Sequence, residues 1–194
     1  VPQQDRLVKL IYGCPNQFLY AMLKDIEMAK QLKADGVVFG CLTAEGEIDL
    51  TIMQELMKAA QGLSVTFHRA FDVCRDPKKA LEQIIALGCN RILTSGQQPT
   101  AESGIPLLKE LQEQAAGRII LLAGCGVNEK NIHRIASETG IREFHFSARE
   151  NIKSGMNYKN ESVSMGGTVH IDEYERNVTT ARRVMDTIQA TNRE

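Results

Sequence analysis

The sequence predicts an α/β protein built as a (β/α) barrel, incomplete, with about six of the eight β/α units of a full barrel. Three observations predict it. A short apolar run, a polar loop and an amphipathic helix closed by glycine recur five times. The runs are near-continuously apolar, as in strands buried on both faces of a parallel sheet. Their ends carry the ionisable residues, where open sheets and barrels alike place their sites.

Each element has its own signal. Leu7 to Ile11 reads as a first strand, and Leu19, Met22, Leu23, Ile26 and Leu32 mark a helix ending near Gly36. Gly36 to Gly40 is the next strand. Asp49 precedes a helix carrying Ile52, Met53, Leu56 and Met57, and Gly62 closes it. Val65 to Ala70 follows as a strand, then Asp76-Pro77 starts a helix that Gly88 ends. Arg91 to Thr94 and Ile119 to Ala123 are strands. Asn128 caps a helix with Ile132 and Ile135 that stops at Gly140, and Glu143 to Ser147 is the fifth clear strand. Asp172 opens a last helix running toward Ala190. A spacing of roughly two dozen residues fits strand plus crossover helix. Since a complete barrel typically takes about 250 residues, the chain reads as two units short. It is expected to form one domain over 1–194, with 1–18 atypical and disordered.

Composition excludes several classes. Hydrophobic residues make up 43% and charged residues 24%, ordinary for a globular protein. A net charge of -1 argues against nucleic acid or an anionic membrane as partner, and no run is long enough to span a bilayer. The five cysteines are odd in number and never form CxxC. That suits reduced thiols in a cytoplasmic protein.

The polar strand ends define the candidate site. Strand alternation places Thr66, His68, Ala70 and Asp72 on the inner face, and likewise His145, Ser147 and Arg149. His68, Asp72 and His145 are therefore the candidate catalytic residues, against the alternative of histidines that merely bond within the interior. Arg69 falls on the other face, where a rim ion pair accounts for it. Gly124 and Gly126, before the Asn128 helix start, suit an anion site of backbone N–H groups, completed by Ser95, Ser147 and Arg149. A glycine-lined tight turn is the plainer account of the same residues. Asn151 to Thr168 reads as a lid or binding loop. Soft Cu(I) would choose thiols, and Cys41 and Cys125 lie at strand ends, although buried cysteines are common in cores. His133 and His170 read as solvated.

Six motifs resemble the CutC family: ADGVVFGCLTAEGEID (34–49), VTFHRAFDVCRDP (65–77), RILTSGQ (91–97), GRIILLAGCGV (117–127), EFHFSAR (143–149) and SGMNYKNESVSMGG (154–167). The resemblance implies a TIM-type barrel, a cytoplasmic and in some eukaryotes nuclear home, and a part in copper homeostasis with copper, as Cu(I), bound. It also implies departures. The family begins with two further β/α units that this chain lacks, and around Ile11 to Tyr20 the chain is without the family's two arginines. A truncated or altered N-terminal third is the expectation, with exposed sheet edges that favour homo-oligomers. Two functions follow: a copper-binding homeostasis protein, or a barrel enzyme for a small anionic (phosphorylated or carboxylated) metabolite with His68 as acid or base.

Overall fold

The computed structural model describes residues 16–160, 162–163 and 172–191. The expected strand at Leu7 to Ile11, Cys14, His170 and part of the Asn151 to Thr168 segment lie outside them. The described elements run α1 (Asn16–Gln31), β1 (Gly36–Phe39), α2 (Leu50–Ala59), β2 (Ser64–Phe67), α3 (Pro77–Ala86), β3 (Arg91–Thr94), α4 (Ile105–Ala115), β4 (Ile120–Gly124), α5 (Ile132–Thr139), β5 (Glu143–His145), β6 (Arg149–Lys153), β7 (Glu175–Thr179) and α6 (Ala181–Ala190). Among the described residues, no helix is long and apolar enough to cross a membrane.

The chain divides into two compact units, 1–127 with 134–145, and 128–133 with 146–194. The first unit holds five parallel strands in the order β1-β2-β3-β4-β5, each beside its sequence neighbour. This is the sequential order of a (β/α) barrel wall, and among the described residues β1 and β5 are the edges of the sheet. Helices intervene between successive strands and one face of the sheet is buried throughout, with Val37, Phe39, Val65, Phe67, Ile92, Leu121 and Ala123; on the other face Val38 and Thr66 are buried while Arg91, Leu93 and Leu122 are half-buried. Against them pack Met53, Leu56, Leu81, Ile84, Leu108 and Leu111 from α2, α3 and α4, each fully buried.

The helix starts follow their sequence signals. Asp49 accepts the Ile52 N–H at 3.1 Å, and Asp76 accepts from Lys78 and Lys79 at 3.1 and 3.0 Å, with Pro77 in the first turn. Asp76→Ala is expected to cost about 1 kcal/mol, read as a lower urea midpoint at unchanged m-value. At the amino ends of the strands, Arg91 forks onto Glu143 (2.6 and 3.2 Å) and reaches Ser64 Oγ (3.2 Å). That cluster ties β2, β3 and β5 at the end opposite the site.

Several expectations are corrected. The strand read as Val65 to Ala70 stops at Phe67, and Arg69–Val73 is a 3-10 turn. The His68 side chain ends the strand, its Nδ1 accepting the Ala70 N–H at 3.2 Å. Glu143 to Ser147 shortens to β5, Glu143–His145. Asn128 does not cap α5 directly; its carbonyl and amide build a turn (Lys130 N–H to Oδ1 at 2.9 Å) and the helix begins at Ile132. Asp172 opens no helix. It starts a turn into β7, which pairs antiparallel with β6, so Asn151 to Lys153 is strand and not loop. The last helix is capped instead by Thr180, whose hydroxyl accepts the Arg183 N–H.

The second unit is held by this hairpin and by α6. Thr179 Oγ1 donates to the Ser147 carbonyl at 2.8 Å. Arg182 pairs with Glu150 at 2.6 Å and Arg183 with Glu129 at 2.9 Å. Both β6 and β7 are largely exposed, which is why they read as loop and helix from sequence.

Candidate functional site

The strand ends of the first unit converge on one carboxylate. Asp72, with a side chain 6% exposed, is carried in by the 3-10 turn after β2. Its Oδ1 accepts Thr94 Oγ1 at 2.5 Å and the Ser95 and Gln97 N–H groups at 3.0 and 3.2 Å. Its Oδ2 accepts Ser95 N–H at 3.1 Å and Arg69 Nε at 2.6 Å, and lies 3.0 Å from Ser95 Oγ, whose single proton has the Gln98 carbonyl at 2.5 Å as its nearer acceptor. A carboxylate has about four lone-pair sites, and here all are engaged. Asp72 is a fixed structural anion whose charge is spent on Arg69.

Arg69 is fixed in turn. Nε lies on Asp72 and one Nη2 hydrogen goes to Ser95 Oγ at 3.0 Å, while the side chain stays 43% exposed. Burial works against its charge, but the hydrogen bond and charge of Asp72 outweigh burial and raise the guanidinium above the ordinary arginine value. The Cys125 sulfur faces the same guanidinium and acts in that direction. Arg69 thus makes the ion pair expected of it, and the turn after β2 supplies Asp72 as its partner.

The loop after β3 is held close. Gln97, at φ 55°, donates from Nε2 to the Cys74 carbonyl at 2.7 Å and locks the two loops together. A Cβ on Gly104 would overlap the Ser95 carbonyl, so only glycine lets α4 start against this loop. Cys125, a non-glycine residue at φ 82°, is held by its carbonyl on Ala101 N–H (2.9 Å) and its thiol on the Pro99 carbonyl (3.1 Å).

The remaining candidates are dispersed. His68 is 3% exposed and stands edge-on to Phe67, with ring centroids 6.0 Å apart. An Nδ1 that accepts leaves the ring proton on Nε2. His145 ends β5 and is exposed, a different environment from that of His68. Ser95 is fully buried in the Asp72 cluster, Gly124 is buried and Gly126 exposed. Ser147 and Arg149 are exposed and belong to the second unit. Arg69, Thr94 and Gln97 were missed as site residues, although the three-residue spacing of Arg69 and Asp72 is itself a turn-forming pair signal.

The thiols differ in accessibility. Cys41 is 2% exposed, and Cys125 is partly exposed. Burial pushes the Cys74 thiol up to about 11 and the Cys89 thiol up to about 12. At pH 8 both remain protonated and weakly nucleophilic. Iodoacetamide is therefore expected to label the Cys125 peptide before those of Cys74 and Cys89, as peptide mass mapping will show; equal rates would contradict this. Among the described residues, no three His, Cys, Asp or Glu form a group that could hold a metal ion.

Fold and site together define an α/β protein of the TIM-type barrel class, with a polar cluster at the carboxyl ends of its parallel strands. The model of the CutC family matches residues 9–150. A family protein CutC of Bacteroides thetaiotaomicron is 80% identical over 191 residues, covering 95% of this chain and 77% of that protein. A human protein named copper homeostasis protein cutC homolog is 46% identical, covering 86% and 63%. The chain belongs to the CutC family. A CutC crystal structure from Streptococcus agalactiae superposes with a TM-score of 0.68 at 35% identity, covering 72% of this chain and 70% of that one. A mandelate oxidase superposes at 0.51 with 12% identity, covering 72% of this chain and 47% of that one, which is a likeness of fold alone.

Proposed function

We propose that this copper homeostasis family member works by binding a small anionic ligand, phosphorylated or carboxylated, on Arg69 at its strand ends. The observation that carries the reading is the saturated Asp72, which fixes a partly exposed guanidinium in one orientation. A preset cation loses little conformational entropy on binding. The Cys125 sulfur faces the same guanidinium, and His68, next in the chain to Arg69, would serve as acid or base. Isothermal titration with phosphate and with acetate tests the reading. Binding of at least one is expected, weakened about tenfold or more in Arg69→Ala. Binding of neither would sink it.

A second reading has copper, as Cu(I), for cargo. It is favoured by the partly exposed Cys125 thiol at the strand ends and by the names of the relatives. Soft Cu(I) takes thiolate ligands; Cys41 follows β1, three strands from Cys125 after β4, so this reading rests on Cys125. Titration with Cu(I) against a competing chelator tests it: Cys125→Ser is expected to lose the tight site, and retention in a variant lacking all cysteines refutes it.

Self-association completes the proposal. On α1, Phe18 (60%), Met28 (51%) and the following Leu32 (57%) are exposed along one stripe with Ala21 and Asp25. The stripe lies away from α2, which Lys30 meets through the Ala59 carbonyl. An antiparallel copy centred between Lys24 and Asp25 sets Ala21 against Met28 and Asp25 against Lys24. Sedimentation is expected to show a dimer that Met28→Glu splits; a native monomer at high concentration would count against it.

A further inference from the structure

We infer that the strand-end site selects a monocarboxylate over a phosphate dianion. The inference rests on the reading that Arg69 holds the ligand, and it follows from how that guanidinium is tied. A guanidinium offers five N–H donors in a planar fork. Nε donates to Asp72 Oδ2 at 2.6 Å and one Nη2 hydrogen to Ser95 Oγ at 3.0 Å, which occupies the Nε–Nη2 side. The rest of the fork, which the Cys125 sulfur also meets, belongs to a side chain that is 43% exposed. Two parallel N–H bonds in one plane match the two oxygens of a carboxylate.

Charge makes the choice. Asp72 lies 2.6 Å from Arg69 and is itself 6% exposed, so the pair is locally neutral. The other groups bonded to Asp72 or facing Arg69 are Thr94, Ser95, Gln97 and Cys125, none of them cationic. Cys74 stays a neutral thiol. His68 accepts a backbone N–H at Nδ1, which an imidazolium cannot do. A monoanion therefore adds one negative charge to a neutral cluster, whereas a dianion adds two, with no second cation bonded to Asp72 among the described residues to offset them.

Backbone donors point the same way. Phosphate sites in barrels and nucleotide folds use runs of free amides. Here the Ser95 and Gln97 N–H groups are spent on Asp72 and the Gly96 N–H on Thr94 Oγ1 at 2.9 Å. The loop after β3 has no amide in that run left for a phosphate.

The test is a matched pair of probes, benzoate and phenyl phosphate, titrated calorimetrically at pH 8 and constant ionic strength. Native protein, Arg69→Ala and Arg69→Lys are compared after a melt has confirmed that each is folded. Benzoate is expected to bind at least about tenfold more tightly than phenyl phosphate. Arg69→Ala is expected to lose it, and Arg69→Lys to lose the preference, because an ammonium keeps the charge without the planar fork. Equal or tighter binding of phenyl phosphate that Arg69→Ala abolishes would overturn the selectivity and leave the site standing. Binding of neither probe, or binding indifferent to Arg69, would overturn the site and the selectivity with it.

Discussion

Phe67→Ala is expected to lower the unfolding free energy by about 4 kcal/mol, the largest effect of any single substitution considered. Phe67 ends β2 in the middle of the parallel sheet and is fully buried. Its ring lies against Gly40 so closely that a Cβ there would sit 2.8 Å from Cζ. The cavity left by alanine cannot be filled from that side, because Gly40 has no side chain to move in and β1 is pinned in register with β2. His68 loses its edge-on neighbour at the same time. Urea denaturation will measure the loss; a change under about 1 kcal/mol would mean the sheet relaxes far more than close packing allows.

Asp72→Ala is the second. It strips the acceptor from Thr94 Oγ1, the Ser95 and Gln97 amides and Arg69 Nε at once. Buried donors left unmet cost about 1–3 kcal/mol each, but water will satisfy some, and Arg69 is partly exposed, so a net loss of about 3 kcal/mol is expected. The consequence for binding is larger. With Asp72 gone the guanidinium keeps its charge with no carboxylate to neutralise it, so the preference for a monoanion over a dianion is expected to vanish even where the protein still folds. Asp72→Asn separates the two effects: it retains one acceptor oxygen and the side-chain volume, so it should recover stability without the preference. Recovery of both would indicate that Asp72 matters for folding alone.

The strands and helices of the first unit were legible because their signals are local. Asp49, Asp76 and Pro77 cap helices wherever they stand before an apolar period, and parallel strands buried on both faces leave continuous apolar runs such as Gly36 to Gly40. What alternation could not reveal is where a strand stops. From Val65 to Asp72 the residues fit a period of two, yet His68 bonds back to the Ala70 amide and converts the end of the run into a tight turn. The turn that follows brings Arg69 and Asp72 together. The β6–β7 hairpin was illegible for the opposite reason: both strands are exposed, so Arg149–Lys153 and Glu175–Thr179 carry no apolar face to mark them. The Arg91–Glu143 fork joins residues 52 apart in sequence, and no local pattern predicts it.

The most direct measurement is a crystal structure of the chain soaked with p-bromobenzoate, with the bromine located by anomalous scattering. The account predicts a carboxylate lying in the plane of the Arg69 guanidinium on its Nη1–Nη2 edge, with Nε still on Asp72. A carboxylate bound elsewhere, or an Arg69 that leaves Asp72 to meet it, would contradict the account.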